Sequence, residues 1–142
     1  MVQLLHPQKT NNMDTTILTL IPKLVFKLFK LRSDDKIAVA EYLNKIADLV
    51  AKFGPKLRDN APIDELVSYT EETRQIAMHF SKITKGVLSE TELNDFDDKL
   101  SKALNAKELL LSAQGDQVAL LNSLGEIAGS FRGAATNLLA SA

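Results

Sequence analysis

The segment LVSYTEETRQIAMHFSKI, residues 66–83, decides the fold class of this chain. Five apolar residues and one threonine recur in it at alternating intervals of three and four positions: Leu66, Tyr69, Thr73, Ile76, Phe80 and Ile83. This spacing places their side chains along one side of an α-helix, as in the seam of a coiled coil. A β-strand would instead alternate apolar and polar residues, and the sequence contains no such run of any length. The segment therefore predicts a long helix packed against other helices.

Two more helical patterns precede this segment. Asp14 is a suitable N-cap for a first helix that runs to about Arg32, because its short side chain can accept hydrogen bonds from free backbone N–H groups. A second helix starts at Ser33, followed by acidic residues that suit the positive end of a helix dipole. The dipeptide Gly54-Pro55 predicts that this second helix ends there.

Two further helices follow the segment. Ser89 and Glu92 have the spacing of a capping box, which predicts a fourth helix that continues through residues 109–111. Gly115-Asp116 then predicts a turn before a last helix from Gln117 to about Leu139. The predicted buried seam of this last helix comprises Val118, Leu121, Leu124, Ala128, Phe131, Ala135 and Leu138.

Together these patterns predict an all-α, single-domain, antiparallel up-and-down bundle of four to five helices. Short connections between helices favour antiparallel neighbours. The chain has 142 residues, of which 45% are hydrophobic and 25% charged, which suits one globular domain with a single core. We predict a flexible N-terminal arm over residues 1–13 and the bundle over residues 14–140.

Charge and cysteine content limit the partners and the compartment. The formal net charge is −1, so we expect no nucleic acid as a partner, since proteins that bind it usually carry a basic field. Residues 1–32 carry a net charge of +4 and the rest of the chain −5. We expect this basic segment to dock against the acidic body of the chain, with an acidic partner or a membrane surface as the alternative. The absence of cysteine suits the cytoplasm, with a peripheral membrane location as the alternative.

No pattern in the sequence predicts catalysis, a cofactor or a metal site. His6 lies in the predicted arm, and His79 lies on the third helix away from its seam. The acidic cluster within residues 90–98 lacks the glycine and the ligand spacing of a calcium loop. Glycine-rich phosphate loops, nucleophile elbows and zinc motifs are also absent from the sequence. We therefore expect a protein that is not an enzyme.

The first helix combines a wide apolar face with lysines on the opposite side. This pattern is typical of a core helix with a solvated outer face, which is the interpretation that we favour, and also of a helix that lies at the surface of an anionic membrane. Phe26 falls on the outer side, where it suits a partner. The candidate membrane or partner surface comprises Leu18, Lys23, Phe26, Lys27, Phe29 and Lys30.

The last helix contains three glycines, Gly125, Gly129 and Gly133, at intervals of four residues. Each glycine inside a helix costs about 1 kcal/mol relative to alanine. At this spacing the three form a stripe along which another backbone can approach closely. We predict a close-packing stripe, used for a tight crossing inside the bundle, for self-association or for repacking in a membrane.

Three functional hypotheses follow. The first is a non-catalytic interaction module that acts through helix–helix contacts with a partner protein or with itself. The second is a membrane-active bundle, of toxin-like or cell-death type, that uses its basic amphipathic first helix. The third is a bundle that binds a small molecule in its core, for which few polar residues occupy suitable positions.

Overall fold

The computed structural model describes residues 14–142, and this part of the chain is all-α, as predicted. The predicted arm over residues 1–13 lies outside the described residues. The described helices are α1 (Ile17–Leu28), α2 (Ser33–Arg58), α3 (Ile63–Thr84), α4 (Glu90–Ala103), α5 (Ala106–Gly115) and α6 (Gln117–Ala140). Residues 14–142 thus form six helices rather than the predicted four to five.

The additional helix arises from a break at Leu104-Asn105, within the predicted fourth helix. The capping box at Ser89 and Glu92 is confirmed, but the helix that it opens ends at Ala103. The Asn105 side chain accepts a hydrogen bond from the backbone N–H of Glu108, at 3.0 Å. This bond satisfies a free donor at the start of α5 and stabilises a new helix.

The predicted end of the second helix at Gly54-Pro55 is wrong, because α2 continues through both residues to Arg58. Phe53 and Leu57 are both buried, so a further helical turn adds Leu57 to the core. Pro55 lacks the N–H that would bond the carbonyl group of Ala51. Ala51 is exposed, so solvent can bond that carbonyl group and the break in the hydrogen-bond ladder costs little.

Helix α6 lies at the centre of the packing. Its most extensive contact is with α2, and α1 also packs against it, while α3 packs against α2. The predicted seam of this helix is partly wrong, because Val118 is 70% exposed. The buried face comprises Leu120, Leu124, Ile127, Ala128, Phe131, Ala134, Ala135 and Leu138. The up-and-down order of the helices stays a prediction.

Three phenylalanines connect α3, α4 and α6 in the core. The ring centroids of Phe80 and Phe96 are 4.9 Å apart, and those of Phe96 and Phe131 are 6.3 Å apart in an edge-on arrangement. The predicted seam of α3 includes one polar residue, Thr73, which is also buried. Its hydroxyl group donates a hydrogen bond to the carbonyl oxygen of Tyr69, at 2.9 Å. That bond offsets the cost of burying a polar group.

The start of α2 is joined to the end of α6 by a buried lysine. Lys36 Nζ donates a hydrogen bond to the carbonyl oxygen of Ser141, at 3.0 Å. Carbonyl groups at the end of a helix have no partner within it, and they form the negative end of the helix dipole. A buried ammonium group at this position therefore stabilises the last turn of α6.

Candidate functional site

The inner face of α1 is part of the hydrophobic core. Its buried residues are Ile17, Leu20, Ile21, Leu24, Val25 and Leu28. Leu18, one of the candidate surface residues, is partly buried against the same core. The core interpretation therefore holds for this face of the helix.

The outer face of α1 and the turn after it expose two aromatic rings and two lysines. Phe26 is 75% exposed and Phe29 is 40% exposed. Lys23 and Lys30 are exposed as well, and neither forms an ion pair with any of residues 14–142. We call Lys23, Phe26, Phe29 and Lys30 the α1 patch. Large apolar side chains that are exposed beside charges are typical of interaction surfaces.

Lys27 belongs to a different contact, although the sequence placed it with the other lysines. Its ammonium group forms an ion pair with Glu92 at the start of α4. Glu92 Oε1 also accepts a hydrogen bond from the backbone N–H of Ser89, at 2.8 Å. The bond from Lys27, followed by that from Ser89, lowers the pKa of Glu92 to about 2. Lys27 thus attaches α1 to α4.

The lowered pKa of Glu92 predicts a dependence of stability on pH. Because folding depresses this pKa from its ordinary value of 4.5, the stabilisation is complete above about pH 4.5 and is lost as the pH falls towards 2. Glu92→Gln is expected to unfold at lower urea concentration than the wild type at pH 7 and to lose less stability on acidification. Urea titrations across this range measure both effects. Glu90→Gln, in the same first turn, is the control; equal pH slopes for the wild type and Glu92→Gln would contradict the prediction.

The three glycines of α6 lie on its exposed side. A Cβ atom built at Gly125, Gly129 or Gly133 meets no atom within 4 Å outside its own helix, among the residues that the structure describes. The interpretation as a tight crossing inside the bundle has no support in this part of the chain. Thr136 and Ala140 are exposed on the same side. We call these five residues the glycine face.

Apolar grooves border the glycine face on both sides. The α1–α6 groove has a volume of about 380 Å³ and is lined by Ile21, Pro22, Val25, Phe26, Phe29, Ser130, Gly133, Ala134 and Asn137. The α1 side of this groove is therefore lined by larger side chains, including two phenyl rings, and the α6 side by smaller ones. The α2–α6 groove has a volume of about 250 Å³ and is lined by Ala51, Gly54, Pro55, Arg58, Leu121, Leu124, Gly125 and Ala128. The glycine face and its two grooves form one shallow, mainly apolar surface.

Charged residues of opposite sign flank the glycine face. Glu126 and Arg132 are both exposed on α6. At 100° per residue, they fall on opposite sides of Gly129, which lies at the centre of the face. Arg132 Nη2 also lies 2.8 Å from Asp48 Oδ1, so its guanidinium group is paired with a carboxylate group of α2.

The other titratable groups singled out in the sequence have ordinary contacts. His79 is exposed and stacks on Tyr42 with ring centroids 6.0 Å apart, whereas His6 lies outside the described residues. In the acidic cluster, Asp95 pairs with Lys99 at 2.7 Å. Within residues 14–142 we find no group of three or more histidine, aspartate or glutamate residues arranged to hold a metal ion.

Every buried side-chain nitrogen or oxygen atom in the described part of the chain has a hydrogen-bond partner.

From Ile17 to Ala140, none of the helices combines the length and the apolar composition that crossing a bilayer requires. Comparison of the chain with protein-family profiles, with curated proteins and with solved structures found no match.

Proposed function

We propose that this chain is a non-catalytic helical-bundle module that acts through helix–helix contacts, with the glycine face of α6 as its docking surface. The observation that supports the proposal is the outward orientation of Gly125, Gly129 and Gly133. The cysteine-free sequence suits action in a reducing compartment such as the cytoplasm. The connections 29–32 and 59–62 are short, which supports the antiparallel arrangement of helices that the proposal includes.

The energetic argument concerns the cost of these glycines. Three interior glycines make α6 less stable by about 3 kcal/mol than three alanines would. No described residue outside α6 packs within 4 Å of the missing Cβ atoms, so contacts inside the bundle do not offset this cost. A second helix that lies on the glycine face would approach the backbone closely and gain van der Waals contacts along it. The two bordering grooves would accept its larger side chains.

A second copy of this chain is the occupant that the sequence of α6 fits best. If two copies of α6 meet antiparallel with the symmetry axis at Gly129, Gly125 of one lies level with Gly133 of the other. The two-fold axis keeps both copies of Glu126 on one edge of this contact and both copies of Arg132 on the other, so the spacing of the glycines, and not a charge pair, favours this register. A helix of another protein is the alternative occupant.

Association of the full chain at increasing concentration tests the proposal. Sedimentation equilibrium is expected to show a monomer–dimer equilibrium for the wild type and a monomer for Gly129→Leu. The leucine side chain separates the two backbones, but within the bundle it meets no described residue. The unfolding free energy of the monomer is therefore expected to remain equal or to rise by up to about 1 kcal/mol.

A matched control makes this experiment specific. Gln75→Leu adds the same side chain to the exposed side of α3 and is expected to leave association unchanged. A wild-type chain that remains monomeric at the highest concentration would overturn self-association. Unfolding of Gly129→Leu would overturn the outward orientation of the glycine face.

A further inference from the structure

The α1 patch has a geometry that the proposed helix–helix contacts on α6 do not use. Phe26 lies on the outer side of α1, and Phe29 follows it as the C-cap residue of the helix; both are exposed. Lys23 on α1 and Lys30 in the turn after it are exposed as well. The chain thus presents two phenyl rings and two ammonium groups from the end of α1 and the turn that follows it.

The segment that carries this patch is basic. Residues 15–33 contain Lys23, Lys27, Lys30 and Arg32 and no acidic residue. The ion pair with Glu92 neutralises Lys27 alone, and the part of α6 that faces the patch across the groove contributes Ser130, Gly133, Ala134 and Asn137. Residues 1–13 also contain no acidic side chain. Although the whole chain has a net charge of −1, the segment that carries the patch has a net positive charge.

We propose that the α1 patch docks the folded bundle onto an anionic membrane surface. In the docked state, the rings of Phe26 and Phe29 enter the boundary between headgroups and acyl chains, and Lys23 and Lys30 contact lipid phosphate groups. Aromatic rings and lysines at this depth are typical of helices that lie at a membrane interface. The six buried residues of α1 remain in the core, so docking requires no unfolding.

A membrane fits this surface better than an acidic helix of a protein partner. Phe26 is 75% exposed and stands at the rim of the α1–α6 groove, so it projects outward rather than lining a deep pocket. A ring that projects from the surface, flanked by positive charges, can enter a fluid layer without a complementary cavity. Binding to vesicles that contain no protein separates the two possibilities.

The test is co-sedimentation of the full chain with vesicles of phosphatidylcholine alone and with vesicles that contain about 30% phosphatidylserine, each at low and high salt. The wild type is expected to bind the anionic vesicles at low salt and to dissociate from them at high salt. It is expected not to bind the vesicles of phosphatidylcholine alone at either salt concentration. Lys23→Gln with Lys30→Gln is expected to weaken binding about 30-fold, since each lysine near the surface contributes about fivefold. Phe26→Ala with Phe29→Ala is expected to weaken it about tenfold or more.

Matched double variants elsewhere on the surface serve as controls. Lys82→Gln with Lys85→Gln removes the same charge from the exposed end of α3, and Met78→Ala with Leu111→Ala truncates two other exposed apolar side chains. Both pairs are expected to leave vesicle binding unchanged. Binding that falls equally in these controls and in the α1 variants, or that is absent for the wild type at low salt, would overturn the proposal.

Hydrogen exchange of the vesicle-bound chain tests whether α1 stays in the bundle. Amides of residues 21–28 are expected to remain protected as in the free protein, except at Pro22, which has none. Loss of this protection would show that α1 leaves the core, which contradicts docking in the folded state. Gly129→Leu is expected to bind vesicles normally, so failure of helix–helix association and failure of membrane docking give separate results.

Discussion

Phe96→Ala is expected to lower the free energy of unfolding by about 3–5 kcal/mol. Phe96 lies between Phe80 of α3 and Phe131 of α6, and it is 1% exposed. Its truncation removes apolar contact area and leaves a cavity where three helices meet. Since small domains have a total stability of about 5–15 kcal/mol, this single change removes a large part of it.

Urea denaturation followed by helical ellipticity measures this effect. Phe26→Ala is the matched control, because it makes the same truncation at a 75% exposed position. A surface change of this kind is expected to alter the free energy of unfolding by less than about 0.5 kcal/mol. Equal effects of the two substitutions would show that Phe96 is not at the centre of the core.

The triple substitution of Gly125, Gly129 and Gly133 by alanine is expected to raise the unfolding free energy of the monomer by about 1–3 kcal/mol. All three glycines have helical backbone and open space around a new Cβ atom, so alanine reduces the conformational entropy of the unfolded chain without a clash. The same substitution is expected to weaken self-association, because three methyl groups keep the second backbone further away. The variant should therefore be more stable and less associated.

Urea unfolding at several protein concentrations separates these two effects. Ala51→Gly is the reverse control at an exposed position inside α2, and it is expected to destabilise that helix by about 1 kcal/mol. A triple variant that is less stable than the wild-type monomer would mean that a side chain packs on these glycines. The proposed docking surface would then be excluded.

Two predictions from local patterns are confirmed, whereas the first helix ends at Leu28 rather than at about Arg32. The capping box at Ser89 and the start of the last helix at Gln117 depend on residues within one helical turn, so the spacing of residue types is sufficient. The break before α5 could have been predicted in the same way. Asn105 precedes Glu108 by three residues, which is a helix start signal inside a run of apolar residues.

Features that depend on tertiary packing were not predictable. Gly54-Pro55 usually ends a helix, but burial of Leu57 favours one more turn of α2. The spacing of the three glycines placed them on one stripe, yet it could not show whether that stripe faces the core or the solvent. The same holds for Lys27, whose partner Glu92 is 65 residues away in the sequence.

The extensive contact between α2 and α6 has a consequence for folding during synthesis. At about 5–20 residues per second, the roughly 80 residues from the end of α2 to the end of α6 take about 4–16 s to translate. Until α6 has left the ribosome, the apolar surface of α2 that it covers remains open to chaperones and to other nascent chains. Fragments of this chain that end before Gln117 are therefore expected to aggregate rather than fold.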